Sequence, residues 1–365
     1  MSRMWMAGAA VLCLAATCSF PPFEFEGEHV VVGTDLVDEV CAGTIERLDL
    51  GVEHIEEQLG LPATEERVPV AILDLADAWK RCSGAAACAS SEGKETVVIL
   101  SPGSLERAAT HELVHARLGV RQSGSIALFS EGVAVALEPA ICPPRSELPT
   151  ADQVLVGNTG SRLSYAGYYM GGELVVWLLE TYGHERVLKF LNTLQRPEAL
   201  RRGSDPEFVR ASYRSHFGRE LDGDIDSHLR NAEQISPQSA GCVAAEAPRQ
   251  AEQVHLQANL DCGSSRVQND FMALNYAFVD WTLTVPDTEA FKRYRLLDKI
   301  PDDTWLSIKP CMCGLSDLAP TVHWNSNTAV GSSVELEAGA YMVRWRGRVN
   351  SDAELDIRIE SYNDE

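Results

Sequence analysis

The chain has 365 residues, 45% of them hydrophobic and 23% charged, which fits a globular protein of about two domains and excludes a fibre or a wholly disordered polymer. Its 53 Asp and Glu against 31 Lys and Arg leave a formal charge of -22. That excess repels phosphate backbones and excludes nucleic acid as a partner, while keeping the surface solvated.

In chain order, Arg3 precedes an uncharged apolar run from Met4 to Ala16, which ends in Ala15-Ala16-Thr17-Cys18 and is followed by Pro21-Pro22. This is the pattern of a secretory signal peptide over residues 1–18. Cys18 behind small residues also resembles a bacterial lipobox, although Thr17 is an unusual neighbour for it. Two outcomes stay open: attachment to the bacterial cell envelope through a lipidated Cys18, or cleavage and secretion. The run is shorter than the ~20 apolar residues a membrane span requires. Export in turn makes disulfides available. Eight further cysteines divide evenly, with Cys41, Cys82, Cys88 and Cys142 in the first half and Cys242, Cys262, Cys311 and Cys313 in the second. The division predicts pairing within each half, with Cys82 and Cys88 closing a local loop and Cys242 and Cys262 as the partners of Cys311 and Cys313, which sit too close to pair with each other. A four-cysteine metal site lacks the C-x-x-C spacing.

Residues 23–232 read as an α+β domain with a small sheet followed by a helical body. Strands are expected at Val30–Val32, Val68–Leu73 and Thr96–Leu100. Ile45, Leu48, Val52, Ile55 and Leu59 recur at helical spacing, and Leu75–Arg81 forms a second short helix. Helices then follow at 104–118, 126–137, 163–182, 185–194, 206–217 and 222–231. A polar stretch with Pro237, Gly241 and Pro248 makes 233–253 a linker. In 254–365 the period changes to two, as in Val334, Leu336, Ala338 and Leu355, Ile357, Ile359, which predicts an antiparallel β-sandwich.

The chemistry sits in His111-Glu112-Leu113-Val114-His115. On a helix, i and i+4 share one face, so two imidazoles can close on one metal ion with Glu112 beside them. Leu113, Val114, Ala108 and Ala109 place that helix in the interior, where stacked imidazoles need a partner. The donor set suits Zn²⁺, which requires a third protein ligand and an open fourth position. A third histidine at the metzincin spacing is absent, because Leu118 and Arg121 occupy the glycine and histidine positions. Glu131, in Ser130-Glu131-Gly132-Val133-Ala134, is available on the next helix, with Gly132 permitting close helix approach and Glu138 as the fallback ligand.

H-E-x-x-H followed by a helix bearing E-G-x-A resembles the gluzincin metallopeptidases, in particular the compact Peptidase MA-like group. The similarity extends over roughly residues 30–231, through Tyr168-Tyr169-Met170-Gly171-Gly172 to Tyr182-Gly183 and a corner near Phe217-Gly218. Glu173 departs from the apolar or small residue that the pattern would carry. The resemblance implies a zincin-like fold, zinc held by His111, His115 and Glu131, and Glu112 as general base. It also implies Tyr168 as the phenol facing the oxyanion, with Tyr165 and Tyr169 as neighbours that packing alone would also explain.

The expected activity is peptide-bond hydrolysis of a peptide or protein substrate. Thr96–Leu100 is the strand placed to pair with an extended substrate. The rival reading is a zincin-fold envelope binding protein with little turnover, whose β-sandwich docks a glycan or protein through Trp281, Trp305, Trp324 and Trp345, although strand spacing also suits these for the core. The sequence does not fix the oligomeric state.

Overall fold

The structure, a computed structural model, describes residues 20–92, 95–119, 127–138, 165–194, 205–231, 246–250, 252–271, 276–285, 291–310, 322–349 and 354–362. The export segment, most of the expected linker, and Cys142, Cys242, Cys311 and Cys313 lie outside these residues.

The first half builds a mixed sheet from β1 (Phe23–Glu26), β2 (Val30–Thr34), β3 (Val68–Ile72), β4 (Ala87–Glu92) and β5 (Glu95–Leu100), in the order β1-β2-β3-β5-β4. β2, β3 and β5 run parallel, while β1 and β4 pair antiparallel on the two flanks. The parallel strands are apolar because both faces are covered. Val30, Val32, Val70, Ile72, Val98 and Leu100 face one layer, and Ala71, Val97 and Ile99 face the other. Helix α1 (Ala42–Leu59) lays Leu48, Val52, Ile55 and Leu59 on the first face. Helix α2 (Leu75–Arg81) covers the second with Ala78. Next come α3 (Leu105–Leu118), α4 (Ala127–Ala136), α5 (Tyr165–Tyr182), α6 (His184–Leu194), α7 (Pro206–Phe217) and α8 (Leu221–Asn231), all within one or two residues of the positions their periodicity predicts.

Two strands of this first sheet were not foreseen. β1 is a short alternating Phe-Glu strand, and β4 is made mostly of small residues. β4 corrects the placement of the substrate-pairing edge: Thr96–Leu100 lies inside the sheet between β3 and β4, and β4 forms that flank.

The second half contains two five-stranded antiparallel sheets. One has the order β13 (Ser333–Glu337), β10 (Phe291–Leu296), β15 (Glu354–Tyr362), β7 (Gln253–Asn259), β6 (Arg249–Gln250). The other has β12 (Val322–Asn325), β11 (Trp305–Pro310), β14 (Gly339–Arg348), β9 (Tyr276–Val285), β8 (Gln268–Asp270). Alternate residues of both sheets, among them Leu256, Ile357, Trp281, Val343 and Trp345, form one core, so the expected sandwich is present in its coarse outline. It starts earlier than 254, because Ala247 is already buried in that core and Arg249–Gln250 pairs with β7. Trp281, Trp324 and Trp345 are buried, which removes them as a docking surface; Trp305 is half-buried beneath the Arg346 guanidinium, 4.8 Å away.

The disulfides divide the expectation of pairing within halves. Cys82–Cys88 closes locally as expected, but Cys41–Cys262 joins the two halves across 221 positions. Its setting explains why. The N-terminus of α1 has unsatisfied N–H groups and no side-chain cap of its own, and the β-half supplies acceptors. Ala42 N–H donates to Cys262 O at 2.9 Å and Gly43 N–H to Val267 O at 3.0 Å. Asn269 Oδ1 accepts from Cys41 N–H at 2.6 Å and from Thr44 Oγ1 at 3.2 Å. A side chain at Gly43 would meet Ser265 O and Val267 O at 2.6 Å, so glycine is what permits this approach. The two halves are therefore joined directly at α1, the helix that packs against α3.

Candidate metal centre

Helix α3 starts after a Pro102–Ser104 turn in which Ser101 and Ser104 bond reciprocally, and it stops at Gly119, whose φ of 62° suits a residue without Cβ. Leu113 and Val114 bury its inner face and fix the rotation that turns His111 and His115 toward α4. Glu131 lies in the second turn of α4, away from the helix start, so its place is not that of an N-terminal charge partner. Gly132 lies against Gly171 of α5, so the two helix backbones approach as closely as the E-G spacing suggests.

The three expected ligands converge. His111 Nε2 is 3.0 Å and His115 Nε2 3.4 Å from Glu131 Oε2, and the two Nε2 atoms are 3.1 Å apart. These separations resemble the edges of a tetrahedron around an ion bonded at about 2.0–2.1 Å. The set therefore forms a group able to hold a metal ion. Two ring nitrogens and a carboxylate oxygen aimed at one point also satisfy one another poorly, whereas a cation there would engage all three.

Glu112 is 6% exposed and stands outside the triad. One carboxylate oxygen accepts the backbone N–H of Ala89 on β4, while Oε2 is buried with no hydrogen-bond partner among the described residues. Burial pushes its carboxyl above the usual range, partly opposed by the two imidazoles. Glu131 goes the other way: burial resists its ionisation, but hydrogen bonds from His111 and His115 bring it down to about 2. Burial also disfavours protonation of His111, yet Glu131, Glu138 and the charge of Glu112 lift it to about 10.

Tyr168 stands close to the triad, its ring centroid 6.2 Å from that of His111. The side chains of Tyr165 and Tyr169 lie outside the described residues. Glu138, the fallback ligand, has a different position: it bonds His111 Nδ1, opposite the nitrogen that faces Glu131 and His115. There it fixes ring orientation and tautomer, as carboxylates behind ligating histidines do. Neither this role nor the contact between Ala89 and Glu112 could be read from spacing, since both depend on how elements pack. A second group, Glu28, His29 and Glu53, also brings ligand atoms together, but its two carboxylates are 79% and 51% exposed, as ordinary solvated acids are.

His111 gives the centre a calculable pH response. With its metal-free pKa near 10, a proton must leave the site whenever a cation binds below that pH. Apparent zinc affinity is expected to rise about tenfold per unit between pH 6 and 8. Competition with a chromophoric chelator, corrected for the chelator's own protonation, measures this; a flat profile would show that no such proton is displaced.

No family model matches the chain, and no curated protein matches it in sequence. Among solved structures, hydroxypropylphosphonic acid epoxidase from S. wedmorenis in complex with fosfomycin aligns at 11% identity and a TM-score of 0.13, over 49% of this chain and 96% of that one. The iron(II) form of HppE aligns with the same values, and its cobalt(II) complex with Tris at 10% identity, a TM-score of 0.13, 49% of this chain and 96% of that one. At such scores the likeness carries no argument about fold or chemistry.

Proposed function

We propose that the chain is an exported zinc-dependent peptidase with a zincin-like first domain. The observation that supports this reading is the convergence of His111, His115 and Glu131 on one point, with Glu112 buried beside them and outside the ligand set. Two imidazoles and one carboxylate leave a dipositive ion with net positive charge, and zinc is the common metal for such a set. When bound, zinc supplies Lewis-acid activation of a water molecule and of a peptide carbonyl.

The remaining steps belong to the chain's own residues. Glu112 takes a proton from the attacking water and passes it to the leaving amine, a task suited to a carboxyl whose pKa burial has raised. Ala89 N–H holds Glu112 in one orientation. The Tyr168 phenol is the group near the triad suited to donate a hydrogen bond to the oxyanion. An extended peptide would lie along β4, which pairs with β5 on one side, has no second strand partner among the described residues, and carries Ala89 beside the general base.

Elemental analysis of the purified chain, with mass-spectrometric reading of a mixed-peptide digest, tests the assignment. One zinc per chain and chelator-sensitive cleavage are expected; bound zinc with no cleavage across the mixture would favour the binding-protein reading instead.

Replacing Glu138 by Gln keeps the size of the side chain but removes the charge behind His111. Zinc affinity is expected to fall about 10–100-fold, the usual cost of losing such an outer partner, while the fold persists. Chelator competition reads the change, and unaltered affinity would deny Glu138 its orienting role.

A further inference from the structure

The Cys82–Cys88 disulfide closes a loop that joins three parts of the first domain. At its near end Cys82 terminates α2, with its N–H bonded to Ala78 O at 2.8 Å. In its middle Ala86 O accepts Ser101 N–H at 2.9 Å and lies 3.2 Å from Ser104 Oγ, which ties the loop to the turn that opens α3. At its far end Cys88 lies in β4, paired with Ile99 of β5, and the next residue, Ala89, donates its N–H to the Glu112 carboxylate. Ser83 takes a φ of 54°, uncommon for a residue with a Cβ, and Gly84 N–H bonds Trp79 O at 2.7 Å, so the turn is held in one shape.

We propose that this loop is a positioning device for Glu112: the crosslink holds β4, and with it the Ala89 N–H, in place against α3. The inference rests on Glu112 being the general base of the proposed peptidase. β4 carries no β-branched side chain and has no second strand partner among the described residues, so its own sequence does little to hold it extended or to fix its distance from α3. The crosslink spans six positions, against 221 for Cys41–Cys262. The chain entropy that a crosslink removes from the unfolded state grows with loop length, so the short loop adds the less to global stability and its effect is local. Cys82 and Cys88 are buried with Ala71, Ala78 and Ile99, which makes the bond part of the packing beneath β4. A base shifted by about 1 Å loses its line to the attacking water and catalysis falls, while a metal held from α3 and α4 stays.

The test compares the full chain with Cys82→Ala/Cys88→Ala. The variant is expected to keep one zinc per chain and a KM within about twofold of the parent, while kcat falls roughly 10–100-fold. Exchange of the Ala89 amide with deuterium, read without any substrate, should quicken toward its rate in Glu112→Ala, which lacks the acceptor. Should the double variant not fold, Ser104→Ala, which takes a hydroxyl away from Ala86 O and keeps the crosslink, is read in the same way, with a smaller effect expected. Parental kcat per bound zinc, a raised KM at parental kcat, lost zinc, or an Ala89 amide as slow as in the parent would each overturn the proposal. A parent that binds zinc and cleaves nothing would remove the peptidase reading, and the exchange rates would still decide whether the loop holds the Ala89 contact.

Discussion

Replacing Glu112 by Gln is expected to leave one zinc bound and to lower peptide hydrolysis by about 10³-fold, within the range that general acid–base catalysis contributes. The substitution is nearly isosteric, and the retained amide oxygen can still accept the Ala89 N–H. Glu112 is not among the three converging ligands, so the metal keeps its full protein set. What disappears is the carboxylate beside the triad whose Oε2 has no hydrogen-bond partner among the described residues and which can carry a proton between water and leaving group. Burial sharpens the effect, because a buried neutral amide cannot be replaced by a solvent base without opening the site. Zinc content by elemental analysis and initial rates on any peptide the parent cleaves give the two readings. Hydrolysis at the parent's rate would assign the base elsewhere, while simultaneous loss of zinc would mean that Glu112 supports the ligands structurally.

The helices and the metal triad were legible because each rests on local or near-local pattern. Pro206–Phe217, for example, has Asp205 as its cap, proline at its first position and Gly218 in the left-handed conformation after its end. H-E-x-x-H brings two candidate ligands together by helix geometry, and Gly132 beside Glu131 signals the close approach that brings the third. β4 was not legible, since its Ala-Cys-Ala-Ser-Ser-Glu sequence has no β-branched residue, and its extended form comes from pairing with β5. The bond between Cys41 and Cys262 was hidden for a related reason: an even division of cysteines carries no information about which surfaces meet, and the deciding contact is a helix end in search of acceptors. Glu138, the fallback ligand by its spacing, instead bonds His111 Nδ1, because seven positions beyond Glu131 it has left the helix, where helical spacing no longer sets its direction.

Gly132→Ala tests whether the helix packing carries the metal site. A Cβ at 132 would stand 2.6 Å from the Gly171 carbonyl oxygen and 2.7 Å from its carbon, both backbone atoms that cannot swing aside. Alanine favours an isolated helix by about 1 kcal/mol over glycine, so propensity alone predicts a more stable protein. Overpacking a fitted contact costs about 1–3 kcal/mol, and here the contact is backbone against backbone, which places the cost at the upper end. The expected net loss is about 2 kcal/mol, or roughly 4–8 °C in Tm for a domain of this size. Relief requires α4 to move away from α5, and Glu131, the adjacent residue, moves with it, so zinc affinity should fall at least about tenfold in the same variant. Gly171→Ala meets the same interface from the other side, 2.5 Å from Leu128 O. Once the helices have separated, the second methyl group finds the space already open, and the double variant should lose less than the sum of the single losses. Thermal unfolding and chelator competition on the three variants decide it: additive losses, or parental zinc affinity in Gly132→Ala, would mean that Glu131 is held in place by something other than this crossing.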